Sequence, residues 1–357
     1  MRAQSLKMNA DIVVIGAGPA GSTAATAAAA GGATVLFLDK KERIGLPVQC
    51  AEYVPLSLAA EVPIPADCIA QRVEGFTTYI QREQVAQTRA PGYILNRDVF
   101  DRYLAERAVQ AGAKLLMKTQ AVEVTDQGVL VKSQGKLSVV KAEVIIGAEG
   151  PKSVVAQAMQ CPPPALAYAK QITVKLRKRS KWARIYFSPS IPGGYAWLFP
   201  KNDLANVGVS LDLRLGGNVA TALAEFQQFL IQEEVIREDV IRTTGGAIPI
   251  GGPQIKLQQN NRMIVGDAAG QTHPISGEGI FQAIVAGKIA GSLAADSIRT
   301  GDLNVLTQYP GQCSTRFGYF TQRGFEKKVE YNLNWEKTDF SVLVRKTWFA
   351  FPEYFES

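Results

Sequence analysis

The chain has 357 residues, 46% hydrophobic and 20% charged, with 39 Lys plus Arg against 32 Asp plus Glu for a net charge of +7. That length suits about two domains of roughly 150 residues, and the composition excludes collagen-like and disordered chains. One histidine, His273, excludes a multi-histidine metal site, and four cysteines (Cys50, Cys68, Cys161, Cys313) without C-x-x-C spacing exclude a zinc knuckle, a thioredoxin-like pair and a conventional iron–sulfur set.

The chemistry is therefore expected from a bound organic cofactor, with no metal. Lone cysteines suit a reducing, cytoplasmic compartment. Residues 12–15 form a short apolar, β-branched run, the mark of a buried parallel strand. G-A-G-P-A-G follows at 16–21 and leads into an alanine-rich helix, with Pro19 suited to its first turn. Gly31 and Gly32 end that helix, and T-V-L-F-L forms a second strand closing on Asp39, 23 residues after Gly16. This is a complete βαβ unit. Its glycines let the backbone approach a diphosphate, its helix N-terminus offers free N–H groups, and Asp39 can accept from ribose hydroxyls. An acid at that place favours FAD or NAD over NADP. The absence of charge between Asp11 and Asp39 is no membrane signal, because six glycines and prolines break the segment.

Strands are expected over 71–86. A helix follows over 96–112, with Val99, Phe100, Tyr103, Leu104 and Ala108 on one face and Gly112 as its stop. Residues 113–140 read as strands with a turn at 126–128, and K-A-E-V-I-I-G-A-E-G as another buried strand. Residues 168–213 are strand-rich and 220–233 helical. N-R-M-I-V-G-D-A-A-G runs strand into loop, and a long small-residue helix follows from about Gly277. The last fifty or so residues read as helical and aromatic-rich. The nucleotide strands thus lie near 12, 35, 145 and 264, in one sheet assembled from distant pieces around an insertion.

Six cations crowd residues 175–184. They read as a solvated strand pair and turn, or as a contact for an anionic lipid, a diphosphate or an acidic protein. No aromatic ladder accompanies them, so nucleic acid is not expected as a partner. The tail T-W-F-A-F-P-E-Y-F reads as a packed segment, with peripheral attachment to the inner face of the membrane the second reading.

Three motifs together, G-x-G-x-x-G, then G-A-E-G-P-K-S, then G-D-A-A-G-Q-T-H-P-I-S-G-E-G-I, resemble the FAD-dependent oxidoreductases of the para-hydroxybenzoate hydroxylase fold. Within that group, P-V-Q-C-A-E at 47–52 and Y-A-W-L-F-P at 195–200 resemble the geranylgeranyl reductase family. The resemblance covers about residues 10–320. It implies an α/β architecture: a Rossmann-type FAD-binding domain, an inserted β-sheet substrate domain and a helical C-terminal segment. The expected division is 8–60, 90–158 and 245–300 for FAD, 61–89 and 159–244 for substrate, and 301–357 for the helical segment.

Carried over by residue, the resemblance implies FAD contacts from Gly16, Gly18, Pro19, Ala20 and Gly21 at the diphosphate and from Asp39 and Lys40 at the adenosine end. It implies Arg97 near the diphosphate and ribityl chain, Val122 at the adenine through its backbone, and Asp267 at a ribityl hydroxyl. Gly277, Gly279 and Ile280 would aim a helix N-terminus at the flavin pyrimidine, where reduced flavin carries negative charge. Glu149 stands where the fold's D-G motif has aspartate; the acid is kept but is one methylene longer, which puts the usual route of nicotinamide docking in doubt. Cys50 is the candidate to donate or relay a proton, with Glu52 a second candidate beside it. His273 is a candidate catalytic residue on the loop bordering the flavin. Tyr195, Trp197 and Phe199 alternate along a strand and are expected to form one apolar wall for substrate.

The function these features imply is FAD-dependent reduction of carbon–carbon double bonds in a prenyl or lipid-like substrate, with NAD(P)H or a reduced protein carrier as electron donor. The alternatives are a monooxygenase that hydroxylates an aromatic compound or a protein side chain through a flavin hydroperoxide, and a non-catalytic FAD-binding maturation factor.

Overall fold

The structure, a computed structural model, describes residues 8–356. In chain order it begins with β1 (Met8–Ile15), α1 (Pro19–Ala30), β2 (Val35–Leu38), β3 (Tyr53–Pro55), β4 (Ile69–Ile80), β5 (Glu83–Leu95) and α2 (Arg97–Gln110). Next come β6 (Lys114–Leu116), β7 (Thr119–Thr125), β8 (Gly128–Ser133), β9 (Lys136–Gly147), α3 (Val154–Ala158), β10 (Leu166–Leu176), β11 (Trp182–Phe187), β12 (Tyr195–Lys201) and β13 (Leu204–Leu211). The chain continues through α4 (Val219–Gln232), β14 (Ile236–Pro249), β15 (Gln258–Gln259), β16 (Arg262–Ile264) and α5 (Ile280–Thr300). It closes with α6 (Tyr309–Cys313), α7 (Tyr319–Asn334) and α8 (Phe340–Thr347).

Two eight-stranded sheets organise the molecule. The first runs β15-β16-β9-β1-β2-β6, with β8 also paired to β9 and β7 to β8. β1 pairs in parallel with β2 and β9, and β9 in parallel with β16, so the four expected nucleotide strands are neighbours despite lying far apart in sequence. Ile12, Val13 and Val14 have no exposed surface because both faces of this sheet are covered, which is why the run is apolar without alternation. Alanines of α1 (Ala20, Ala24, Ala28) and of α5 (Ala286, Ala290, Ala294) share one core, small side chains letting the two helices lie close.

The second sheet runs β14-β10-β13-β12-β11-β4-β5-β3. Its core on one face is closed by α4 through Leu223, Phe226 and Leu230. On the other face Phe76, Trp197 and Phe199 pack with Trp348 and Phe351 from the chain's end. Most of the aromatic tail is thus core: Trp348, Phe351 and Tyr354 are buried, and Trp348 Nε1 donates to Thr78 Oγ1 at 3.3 Å. Phe355 alone of its large aromatics is mostly exposed.

Element limits shift for reasons of pairing. β1 starts at Met8, before the apolar run, because Met8–Ala10 pair with Val140–Ala142. β5 extends to Leu95 because Tyr53–Pro55 pair with its end. The 113–140 region contains turns at 117–118 and 134–135 besides that at 126–127. The basic stretch spans the end of β10, a turn and the start of β11, where Arg179 pairs with Asp203 and Lys181 with Glu74 at the surface. Among the described residues no helix is long and apolar enough to cross a membrane.

Candidate active site

The glycine loop joins β1 to α1. Gly16 has φ +100°, and a Cβ there would lie 2.4 Å from the Ala148 carbonyl oxygen; a Cβ on Gly21 would lie 1.8 Å from that of Gly16. Those two glycines are needed for the turn and for the close strand–helix approach. Gly18 differs: nothing lies within 4 Å of a Cβ built there, so the loop faces open space. α1 starts at Pro19 with no side-chain cap and no acid in its first turn, leaving its positive end for an anion. Asp39 is half-buried and accepts from the N–H of Ala17 at 3.0 Å and of Lys41 at 2.8 Å, which ties the glycine loop to the end of β2. Lys40 is exposed beside it. Val122 is 43% exposed and sits in a β-bulge with no partner on β8. A cavity of about 490 Å³, lined in part by Arg43, Arg102, Asp98 and Met117, opens next to this end of the sheet.

A second uncapped helix end lies at α5. Gly279 is its N-cap without a side-chain bond, and the first intrahelical acceptance is by the Gly279 carbonyl from Ala283 N–H. The N–H groups of Ile280, Phe281 and Gln282 therefore point out of the helix. Asp267 lies in the preceding loop and accepts from Thr272 Oγ1 at 2.6 Å. Burial pushes its carboxyl up, against the pull of that bond and of the Arg97 charge. An open cradle at Gly18 and two free helix N-termini fit a dinucleotide with a diphosphate and an electron-rich ring.

Arg97 opens α2 and is held in a fork by Asp101, at 2.9 and 3.1 Å. Its N–H donates to Glu52 Oε1 at 3.1 Å. Glu52 has no exposed surface, and its Oε2 accepts from Lys201 Nζ and from Asn206 Nδ2, both at 2.7 Å. Cys50 is anchored through its backbone: its carbonyl accepts from Gln171 Nε2 at 3.0 Å, and its Sγ accepts from Glu52 N–H at 3.2 Å. Burial pushes the thiol up, partly offset by Arg97, so it stays protonated at neutral pH.

Tyr195, Trp197 and Phe199 lie in one aromatic cluster; Trp197 and Phe199 are buried, and Tyr195 is partly exposed. Trp197 Nε1 donates to Gln171 Oε1 at 3.0 Å, so the group that holds Cys50 is itself held by the aromatic strand. The Tyr195 hydroxyl donates to the Ser276 carbonyl and joins this strand to the loop before α5. Gly277, with φ +69°, lies against Ile248 and Tyr195. Next to it Glu278 carries a carboxyl that burial raises to about 7. Its charge acts on Tyr53 and Tyr195, whose phenols burial pushes up.

His273 is fully buried. Its Nδ1 accepts from Ser276 N–H at 3.1 Å, its Nε2 lies 3.4 Å from the Tyr354 hydroxyl, and its ring packs on Phe320 with centroids 4.3 Å apart. A Cβ on Gly324 of α7 would lie 2.5 Å from Nε2. Burial lowers the imidazole to about 4, so it is neutral. The ring faces the C-terminal segment while its backbone shapes the loop.

Residues 11–159 match the FAD dependent oxidoreductase family model and residues 166–248 the geranylgeranyl reductase catalytic domain. The digeranylgeranylglycerophospholipid reductase 1 of Methanopyrus kandleri is 37% identical over 328 residues, covering 87% of each chain. This chain belongs to the geranylgeranyl reductase family. As a member it is an FAD-dependent oxidoreductase, and an enzyme. The corresponding reductase of Methanocaldococcus jannaschii is 33% identical over 306 residues, 82% of this chain and 78% of that one. A geranylgeranyl bacteriochlorophyll reductase-like protein from Thermoplasma acidophilum superposes with TM-score 0.83 at 26% identity, over 96% of this chain and 92% of that one. The flavin-dependent brominase Bmp2, at 17% identity and TM-score 0.73, shares the fold with this reductase family member.

The fold thus brings Cys50, Arg97, Asp267, Tyr195 and the start of α5 to one region of the reductase, while Val122 lies on β7 and Lys40 just after β2. The His273 ring stands behind the loop. Three groups escaped sequence reasoning. Lys201 and Asn206 are ordinary strand residues until Glu52 is buried between them. Glu278 had a signal, an acid between two glycines at a helix start, but its missing counter-charge appears only in three dimensions.

Proposed function

We propose that this enzyme reduces carbon–carbon double bonds in the prenyl chain of a lipid, drawing electrons from NAD(P)H or a reduced protein carrier. Bound FAD supplies the hydride for such a reduction. Gly16, Gly18, Pro19, Ala20 and Gly21 hold the diphosphate, with Asp39, Lys40 and the backbone of Val122 at the adenosine and Asp267 and Arg97 at the ribityl chain. The free N–H groups from Gly279 and Ile280 onward face the pyrimidine and stabilise charge there. On this reading the strands of the first sheet form the cofactor domain and the second sheet the substrate domain, with the C-terminal helices as its cover.

The hydrogen bond from Tyr195 to Ser276 carries the reading, because it couples the aromatic strand to the loop that opens α5. Substrate then lies between an apolar wall and a helix N-terminus, the thiol of Cys50 at the wall. Similarity to the digeranylgeranylglycerophospholipid reductases supports a polyprenyl lipid as the substrate class. His273 acts as a positioning residue through Ser276. Peripheral contact with the inner face of the membrane from the cytoplasm gives access to such a lipid.

The test is anaerobic. Reduced enzyme is mixed with a polyprenyl phospholipid in detergent, and reoxidation is followed with mass analysis of the product. Reoxidation with a gain of two hydrogens per bond supports the reading. No reoxidation by the lipid under these conditions, in an enzyme that air does reoxidise, overturns it.

A further inference from the structure

We propose that Glu278 is the general acid of this site, protonating one alkene carbon while the other receives hydride; the proposal rests on the reductase reading above. Its backbone is clamped on one side: the carbonyl accepts from His273 N–H at 2.7 Å and the N–H donates to Ser276 Oγ at 3.3 Å. Gly277 and Gly279 flank it, and α5 begins two residues later. The residue therefore lies between the start of α5 and the aromatic strand, whose Tyr195 bonds the neighbouring Ser276 carbonyl.

The groups that sense the Glu278 charge are Tyr195 on β12 and Tyr53 on β3, both neutral phenols. Among the described residues no cation or hydrogen-bond donor meets the carboxyl. The cations of the site are committed elsewhere, Arg97 to Asp101 and Lys201 to Glu52, and the His273 ring turns toward Tyr354. An acid left without a partner in a partly buried place keeps its proton near neutrality, and that proton has a driving force for transfer. The Cys50 thiol, raised by burial, is the weaker acid of the two.

The step balances simply. Hydride brings two electrons and one hydrogen to one carbon. The Glu278 O–H bond breaks, its proton forms the second C–H bond, and the carboxylate takes a proton back from solvent.

The experiment compares the wild type with Glu278→Gln, Glu278→Asp and Cys50→Ala. In wild type the reoxidation of reduced enzyme by the lipid slows tenfold per pH unit above about 7. Glu278→Gln, the same shape as the protonated acid, keeps its FAD and its reduction rate but reoxidises about 100-fold more slowly, without that pH dependence. Glu278→Asp restores a pH-dependent rate. Independently of turnover, infrared difference spectra of the oxidised protein show a carboxyl band that titrates near neutrality in wild type and is missing in Glu278→Gln. A Gln variant that reacts like wild type, or a band that titrates in the ordinary carboxylate range, overturns the role of Glu278. If Cys50→Ala alone abolishes the pH dependence, the acid is the thiol and the proposal falls. A wild type that the lipid does not reoxidise at all overturns the reductase reading itself.

Discussion

Glu52 and Lys201 form an ion pair of 2.7 Å in which the Glu52 side chain has no exposed surface and that of Lys201 is partly buried. The pair joins the Cys50 segment to β12, and the other oxygen of Glu52 caps the start of α2 at Arg97. Glu52 also has φ +76°, a conformation unusual for glutamate, which this bonding holds in place.

Removing one partner of such a pair leaves an uncompensated buried charge. Lys201→Met is therefore expected to destabilise the protein by about 3 kcal/mol, read from urea denaturation. Glu52→Gln keeps the bonding shape and should cost less. Should the two variants prove equally stable, the pair does not organise this region.

Gly18 and Gly21 separate folding from binding. A methyl at Gly18 meets no protein atom, so Gly18→Ala is expected to leave the melting temperature of the apoprotein unchanged and to weaken FAD binding about tenfold or more. Gly21→Ala collides with the Gly16 carbonyl and is expected to lower stability by about 1–3 kcal/mol. Thermal melts and flavin fluorescence titration distinguish the two.

His273 predicts an acid limb of stability. Its imidazole is lowered from 6.5 to about 4 in the folded protein. The unfolded chain therefore takes up the proton first as pH falls, and the contribution present above 6.5 is lost progressively down to about 4. Its full size is on the order of 3 kcal/mol. His273→Gln should flatten this part of the stability–pH curve; an unchanged slope shows that other groups produce it.

Trp197 and Cys50 are linked through Gln171. Trp197→Phe removes the donor to Gln171 Oε1 and leaves that buried oxygen unpaired, at a cost of about 1–2 kcal/mol. Because Gln171 also holds the Cys50 carbonyl, the thiol should become more reactive to an alkylating reagent while FAD content is kept. Equal alkylation rates in the variant and the wild type would break the proposed link.

Much of the cofactor half was legible in the linear chain. A glycine-rich turn between an apolar run and an alanine helix has a local physical meaning, and the strands near 12, 35, 145 and 264 do lie side by side. The alternation of Tyr195, Trp197 and Phe199 likewise reads as one face, since strand periodicity is a local property. Boundaries were less legible, because β1 and β5 are lengthened by partners distant in sequence.

The lone histidine and four scattered cysteines, as composition, already assigned the redox chemistry to a cofactor. What the fold alone decided is the state of the individual groups. His273 is neutral because the C-terminal helices close over its ring, Glu52 is paired because Lys201 and Asn206 converge on it, and among the described residues Glu278 has no partner for its carboxyl. Protonation depends on burial and on neighbouring charge, and both are set by residues distant in the sequence.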